Sequence, residues 1–325
     1  MTVRARRRYT IAAVDALTAS SPAELLTGVV DSRPALPVAE PLAVRAAGPT
    51  LGVRVAAAQF GPNPGDTAGN LARIDRLMTE AARNGASLIV FPECAITGYN
   101  YPDRAAAVAS ALTEDDDAIP SLIQRCRTHH TECVVGALVR HGDHLVNAAF
   151  LLGSAGVIGR YDKAHLPFSG ADRFADPGHS GFRVFQAATG KVGLLIGYDL
   201  RFPEAARILA LAGAEIIALP AAWPAGAESE PDYRARARAN ENHVFLVACN
   251  RVGAERGAQY IGRSCIVGPD GQHLADASPQ EEHIIIAEIE PTRARNKKII
   301  VEPNEFEMDT FADRRPDLYG LPSKH

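Results

Sequence analysis

The sequence predicts an α/β domain in which largely parallel strands are covered by helices. Residues 53–60 (VRVAAAQF) and 86–93 (ASLIVFPE) are apolar, β-favouring segments. Between them, residues 70–84 carry apolar side chains at helical spacing, and Gly85 ends that helix. The same alternation returns over residues 191–221. Strand, helix and strand with short connections favour parallel strands and helices on the sheet faces.

The remaining elements follow from the same periodicities. We predict helices at 119–129, 203–213 and 232–242, strands at 132–139, 147–153, 191–197, 214–221 and 244–250, and hairpin-like segments at 264–271 and 283–290.

Composition favours a globular protein that acts on small molecules. The 325 residues are 46% hydrophobic, the net charge is -4, and no apolar run approaches the length of a membrane span. We therefore expect no nucleic-acid partner and no membrane partner. The five cysteines are scattered, as in a cytoplasmic protein with reduced thiols. Cys126, His129, His130 and Cys133 lack zinc-site spacing, so we expect no metal.

Residues 1–50 differ from the rest and are predicted to be an N-terminal extension and linker, with the domain at 51–325. They begin with a basic cluster and end in a segment that contains Pro34, Pro37 and Pro41. Asp15 interrupts the apolar core that a secretory signal would need. A poorly ordered tail and a role in subunit contact are both consistent with this composition.

The most informative segment for function is residues 191–204, KVGLLIGYDLRFPE. A buried strand stops at Gly197, and a helix begins at Pro203. The segment resembles the nucleophile turn of the nitrilase (carbon-nitrogen hydrolase) superfamily, whose pattern is Cys-Tyr-Asp-x-Arg-Phe-Pro-Glu. Tyr198, Asp199 and the residues from Arg201 to Glu204 match, whereas Gly197 stands at the position of the cysteine.

This resemblance, which runs from about residue 53 to 321, implies a four-layer α-β-β-α sandwich and a catalytic site. By resemblance Glu93, in FPECAITGY, is the general base, and Lys163, in RYDKAHLPF, supplies a cation to an oxyanion. His165 is expected to position or pack. A second family glutamate falls by strict count on Ala171, with Asp172 beside it, so a second member of the machinery is expected to be lost unless the loop is displaced.

The resemblance also suggests residues around the site. Candidate ligand contacts are Tyr99, Tyr198, Trp223, Asn250 and Asp172. Arg201 and Glu204 are expected to form a buried ion pair. Cys94 is expected to pack away from the pocket, because adjacent strand residues point to opposite faces. The family implies no metal or organic cofactor, and a homodimer or higher homo-oligomer.

Gly197 leaves three functional hypotheses open, since covalent hydrolysis needs a nucleophile. The chain is an enzyme with altered, non-thioester chemistry on an amide, carbamoyl or related nitrogen-containing small molecule. Alternatively, it is an ordinary amidase or carbamoylase inactivated by a Cys-to-Gly substitution, or a catalytically dead binding or scaffold protein. Retention of both Glu93 and Lys163 favours the first, because a scaffold has no use for buried charges.

Overall fold

The structure, a computed structural model, describes residues 52–320. Its helices are α1 (Thr67–Arg83), α2 (Arg104–Ser110), α3 (Ala118–His129), α4 (Pro203–Leu211) and α5 (Ala235–Asn242). Its strands are β1 (Val53–Gln59), β2 (Ala86–Val90), β3 (Glu132–His141), β4 (His144–Gly153), β5 (Gly156–Asp162), β6 (Val184–Ala187), β7 (Gly190–Leu194), β8 (Ile216–Pro220), β9 (Phe245–Cys249), β10 (Ala254–Glu255), β11 (Ala258–Gln259), β12 (Cys265–Val267), β13 (His273–Asp276), β14 (His283–Ile289), β15 (Lys298–Glu302) and β16 (Phe306–Asp309).

Two six-stranded sheets form the centre of the domain. The first has the order β14-β1-β2-β3-β4-β5, and the second has the order β13-β12-β9-β8-β7-β6. The central strands β1, β2 and β3 run parallel, as do β7, β8 and β9. Antiparallel strands complete both edges. The expected parallel strands are therefore found at the middle of each sheet.

Three apolar layers hold the sheets and helices together. Side chains such as Val55 and Leu88 of the first sheet pack against Leu194 and Val247 of the second. A second cluster joins the first sheet to α1 and α3, and a third joins the second sheet to α4 and α5. The order of layers is thus helix, sheet, sheet, helix, which confirms the predicted four-layer sandwich.

Helix α1 illustrates how the sequence produces these layers. Its buried apolar residues Ile74, Leu77, Met78 and Ala81 recur at helical spacing and face the first sheet. The side chain of Asp66 accepts a hydrogen bond from the Gly69 amide and caps the helix start.

Several elements of the structure were not predicted from the sequence. Helix α2 and strands β5, β6, β10, β11, β15 and β16 were missed, because each is short or carries few apolar residues. The predicted extension at residues 1–50 lies outside the described residues. In the part of the chain that is described, no helix is both long enough and apolar enough to cross a membrane.

Candidate active site

The candidate site lies where strands of the two sheets end side by side. Glu93 follows β2, Lys163 follows β5, and Gly197 follows β7. The Glu93 amide donates a hydrogen bond to the carbonyl of Ala221, which follows β8, at 3.2 Å. This bond joins the two sheets at the carboxyl ends of their parallel strands, where α/β proteins commonly bind ligands.

A buried cluster of three charges forms the centre of the site. Lys163 Nζ lies 2.6 Å from Glu93 Oε1 and 2.6 Å from Asp172 Oδ2. The three residues are at most 4% exposed, so their charges are poorly screened. Two carboxylates around one ammonium leave the trio with a net charge of -1 when all are ionised.

Asp172, rather than Ala171, supplies the second carboxylate of this cluster. The strict count, which ends at Ala171, thus misses this carboxylate, and Asp172 lies where the alternative with a displaced loop would put it. Both residues lie in the 3₁₀ turn Gly170–Arg173, in which successive side chains point about 120° apart. Ala171 consequently packs in an apolar cluster while Asp172 faces the lysine. Asp172 bonds to protein groups and does not line the cavity, which differs from its assignment as a ligand contact.

The environment raises the pKa of both Glu93 and Lys163, which favours a neutral carboxyl group beside a charged ammonium group. Burial raises the pKa of Glu93 to about 7, and the charge and hydrogen bond of Lys163 only partly oppose this rise. Burial alone would lower the pKa of Lys163, but the charges of Asp172 and Glu93 raise it above its ordinary value. Near neutral pH the site thus holds a fixed cation beside a carboxyl group that can gain or lose a proton.

Asn147 and Tyr99 complete the polar network around the charges. Asn147 Nδ2 donates to Glu93 Oε1 at 2.7 Å and to Asp172 Oδ1 at 2.8 Å. The Tyr99 hydroxyl donates to Asp172 Oδ2 at 2.8 Å. Neither contact with Asp172 was predicted. Asn147 could have been noticed as the polar residue inside the otherwise apolar strand segment LVNAAFLLG.

The turn after β7 brings the backbone of Gly197 directly against Glu93. Gly197 has a φ of +37°, which disfavours L side chains, and a Cβ there would lie 2.6 Å from Glu93 Oε2. Asp199 braces the turn: its carboxylate accepts from the Ile196 amide at 2.9 Å and lies 2.8 Å from His165 Nδ1. His165 also stacks on Phe202. The positioning or packing role expected for His165 agrees with these contacts.

A cavity of about 260 Å³ opens at Gly197. Of the predicted site residues, Glu93, Tyr99, Lys163, Gly197, Tyr198 and Trp223 line it. Arg201 and Glu230 also contribute to its wall. The cavity thus combines aromatic walls with a buried cation and a carboxyl group, which is the composition of a site for a small polar organic molecule.

Asn250 and Arg201 have other partners than the sequence suggested. Asn250 is fully buried and bonds the main chain at Trp223 and Gly262, so it braces the wall and does not line the cavity. Arg201 pairs with Glu230 at 2.7 Å, whereas Glu204 is exposed. Glu230 was missed because it lies 29 residues beyond Arg201 in the sequence.

The five cysteines, all within residues 52–320, are free and buried, and none lines this cavity. Cys94 has a φ of +50° and directs its thiol at Asn147 Oδ1, 3.4 Å away, behind the charge cluster. Burial raises the pKa of this thiol well above its ordinary value, so it is a poor nucleophile. Within the same described residues, no group of three or more His, Cys, Asp or Glu side chains is arranged to hold a metal ion.

The two-sheet sandwich, with a buried charge cluster beside a small cavity at the strand ends, is the arrangement of an α/β protein that binds or acts on small molecules. The Carbon-nitrogen hydrolase family model matches residues 54–298, so the chain belongs to that family. The chain is 39% identical to a "Nitrilase" from Pyrococcus abyssi, over 82% of this chain and 99% of that protein. It is 29% identical to an "N-carbamoylputrescine amidase" from Solanum lycopersicum, over 83% and 94% of the two chains.

Solved amidase structures share the fold. An amidase from Nesterenkonia sp. superposes with a TM-score of 0.70 at 27% identity, covering 82% of this chain and 94% of that one. A mutant of the Nesterenkonia amidase, with a TM-score of 0.68 at 25% identity over 82% and 95% of the chains, carries the acetamide moiety of fluoroacetamide on its active-site cysteine. That amidase therefore has a cysteine in its active site.

Proposed function

We propose that this protein binds a small amide or carbamoyl compound in the cavity and hydrolyses it by direct attack of water, without a thioester intermediate. The observation that carries the proposal is the position of Glu93 Oε2. This oxygen faces the backbone of Gly197, in the space that a side chain at residue 197 would need. A nucleophilic water that binds in this space would therefore meet the carboxyl group directly.

Glu93 is suited to move the proton in this reaction. Its carboxylate takes a proton from water while the water oxygen attacks the carbonyl carbon. The same carboxyl group then returns the proton to the leaving nitrogen, the C–N bond breaks, and ammonia or an amine departs with an acid as the second product. A pKa of about 7 allows both transfers near neutral pH.

Lys163 provides the electrostatic part. A lysine ammonium has three N–H donors, and two are directed at Glu93 and Asp172. Because Lys163 also lines the cavity, the third donor is available to a carbonyl oxygen as it becomes negative. The relatives described as amidases support the choice of amide and carbamoyl compounds.

The test compares this chain with Gly197→Ala, Gly197→Cys and Glu93→Gln, using ammonia release from aliphatic amides and N-carbamoyl amino acids. We expect slow turnover by this chain and at least a tenfold loss in Gly197→Ala, whose methyl group displaces water from Glu93, and in Glu93→Gln.

Other outcomes would reject direct water attack. If only Gly197→Cys releases ammonia, the chain is a hydrolase that lacks its nucleophile. If no variant turns over but amides bind by calorimetry, the cavity serves binding alone.

A further inference from the structure

We propose that Asn147, held in one orientation by the Cys94 thiol, is a positioning residue that aims Oε2 of Glu93 at Gly197 and keeps the two carboxylates around Lys163 apart. Asn147 lies on β4 and is fully buried. It contacts every charged member of the cluster, through its side chain or its main chain. The consequences for catalysis rest on the proposed function, whereas the geometry does not.

The two carboxyl oxygens of Glu93 have different surroundings. Both hydrogen bonds to this carboxyl group, from Lys163 Nζ and from Asn147 Nδ2, go to Oε1. Oε2 is left to face Gly197. Two donors that converge on one oxygen fix the rotation of the carboxyl group, so the oxygen available for proton transfer is the one at the cavity.

Asn147 also holds the two like charges of the cluster in place. A primary amide has two N–H donors, and Asn147 gives one to Glu93 and the other to Asp172 Oδ1. The carbonyl of Asn147 also accepts from the Lys163 amide at 2.8 Å, which sets the start of the lysine side chain. One residue thus holds both carboxylates and the main chain of the cation between them.

The neighbours of the Asn147 amide give it a single orientation. Cys94 Sγ lies 3.4 Å from Asn147 Oδ1. Because burial raises the pKa of this thiol, it stays protonated and donates. In the flipped amide, the oxygen would face two carboxylates and the NH₂ group would face the thiol. The Cys94 hydrogen bond and the two carboxylates therefore select the same orientation.

Loss of the Asn147 donors has a defined electrostatic effect. The titratable groups around Glu93 are Lys163, Asp172, Cys94, Tyr99 and Tyr260. The Asn147 hydrogen bond favours the ionised form of Glu93. Without it, the ionised Glu93 keeps only the hydrogen bond from Lys163, so Glu93 should bind its proton more tightly.

The experiment measures the titration of Glu93 itself and requires no turnover. The C=O stretch of the protonated carboxyl group is followed by infrared spectroscopy across pH and assigned by its loss in Glu93→Gln. We expect Asn147→Ala to shift the midpoint upward by about one pH unit, roughly tenfold in proton affinity, because a hydrogen bond to a charged group is lost. Cys94→Ala should give a smaller upward shift, and Cys94→Ser, which keeps a donor, should give none.

Asn242→Ala is the matched control, since Asn242 is a buried amide on α5 that donates to the Arg238 carbonyl. It should leave the Glu93 midpoint unchanged. An unchanged midpoint in folded Asn147→Ala would overturn the proposal. If that variant does not fold, equal midpoints in Cys94→Ala and Cys94→Ser would overturn it instead. The proposed hydrolysis can fail in the ammonia assay without affecting any of these midpoints.

Discussion

Oε2 of Glu93 and the backbone of Gly197 share one small space, because a Cβ at residue 197 would lie 2.6 Å from that oxygen. Beyond the Glu93 carboxyl group, the next neighbour of such a Cβ is Cα of Ala221 at 3.8 Å, an ordinary van der Waals distance. The conflict is therefore with the end of the Glu93 side chain, whose displacement disturbs its hydrogen bonds to Lys163 and Asn147. Residue 197 and the rotamer of Glu93 are coupled, and this coupling can be measured.

Gly197→Ala should destabilise the protein through two separable effects. A positive φ costs an L residue about 1–2 kcal/mol, and displacement of Glu93 adds to this. We expect a total loss of about 2–3 kcal/mol in the free energy of unfolding. Urea denaturation of the wild type and the variant gives the value.

The control for Gly197→Ala is Gly142→Ala. Gly142 has a φ of +59°, and a Cβ there would meet nothing within 4 Å, so only backbone strain is introduced. In a Glu93→Ala background, the cost of Gly197→Ala should fall to that of Gly142→Ala. Equal costs of the two glycine substitutions in the wild-type background would argue against the contact with Glu93.

The protonation of Glu93 should make stability depend on pH. Its pKa is raised from 4.5 to about 7 in the folded protein, so the folded state binds the proton more tightly than the unfolded state. The contribution of Glu93 is therefore largest below about pH 4.5 and is lost as pH rises through about 7. A span of about 2.5 pH units corresponds to roughly 3 kcal/mol.

This pH dependence is isolated by subtracting the urea-unfolding profile of Glu93→Gln from that of the wild type. The difference should decline between pH 4.5 and 7 and be level above it. Lys163 does not interfere, because its raised pKa puts its titration above this window. A difference that increases with pH would mean that Glu93 is stabilised as the anion.

The residues that sequence reasoning located correctly are those fixed to the ends of regular elements. Glu93 and Gly197 follow β2 and β7, two largely buried strands that the apolar pattern predicts. Lys163 follows β5, which was not predicted, and was located only through the resemblance of RYDKAHLPF to the family motif. Asp172 could not be assigned by counting, since the loop between β5 and the turn Gly170–Arg173 has no periodicity to count. Only the three-dimensional structure shows that this carboxylate reaches Lys163.

Partners that are distant in sequence account for the other errors. Asn250 was expected to contact the ligand, but its side-chain amide forms hydrogen bonds with the main chain at Trp223 and Gly262. Arg201 was paired with Glu204 because the two are close in the sequence. Helix α4 instead presents Glu204 to solvent, while Glu230 approaches Arg201 from another segment.

The partner of Arg201 can be identified by comparing Glu230→Ala with Glu204→Ala. Glu230 is 1% exposed and lies 2.7 Å from Arg201 and 2.9 Å from Arg234. Its removal takes away two charge-assisted contacts, although solvent screens the partly exposed arginines, so we expect a loss of about 2 kcal/mol in unfolding free energy. Glu204→Ala removes the same side chain from an exposed position and should change stability by less than about 0.5 kcal/mol.

Because Arg201 and Glu230 also line the cavity, Glu230→Ala should in addition weaken amide binding measured by calorimetry. A larger loss of stability in Glu204→Ala than in Glu230→Ala would restore the ion pair that the sequence suggested.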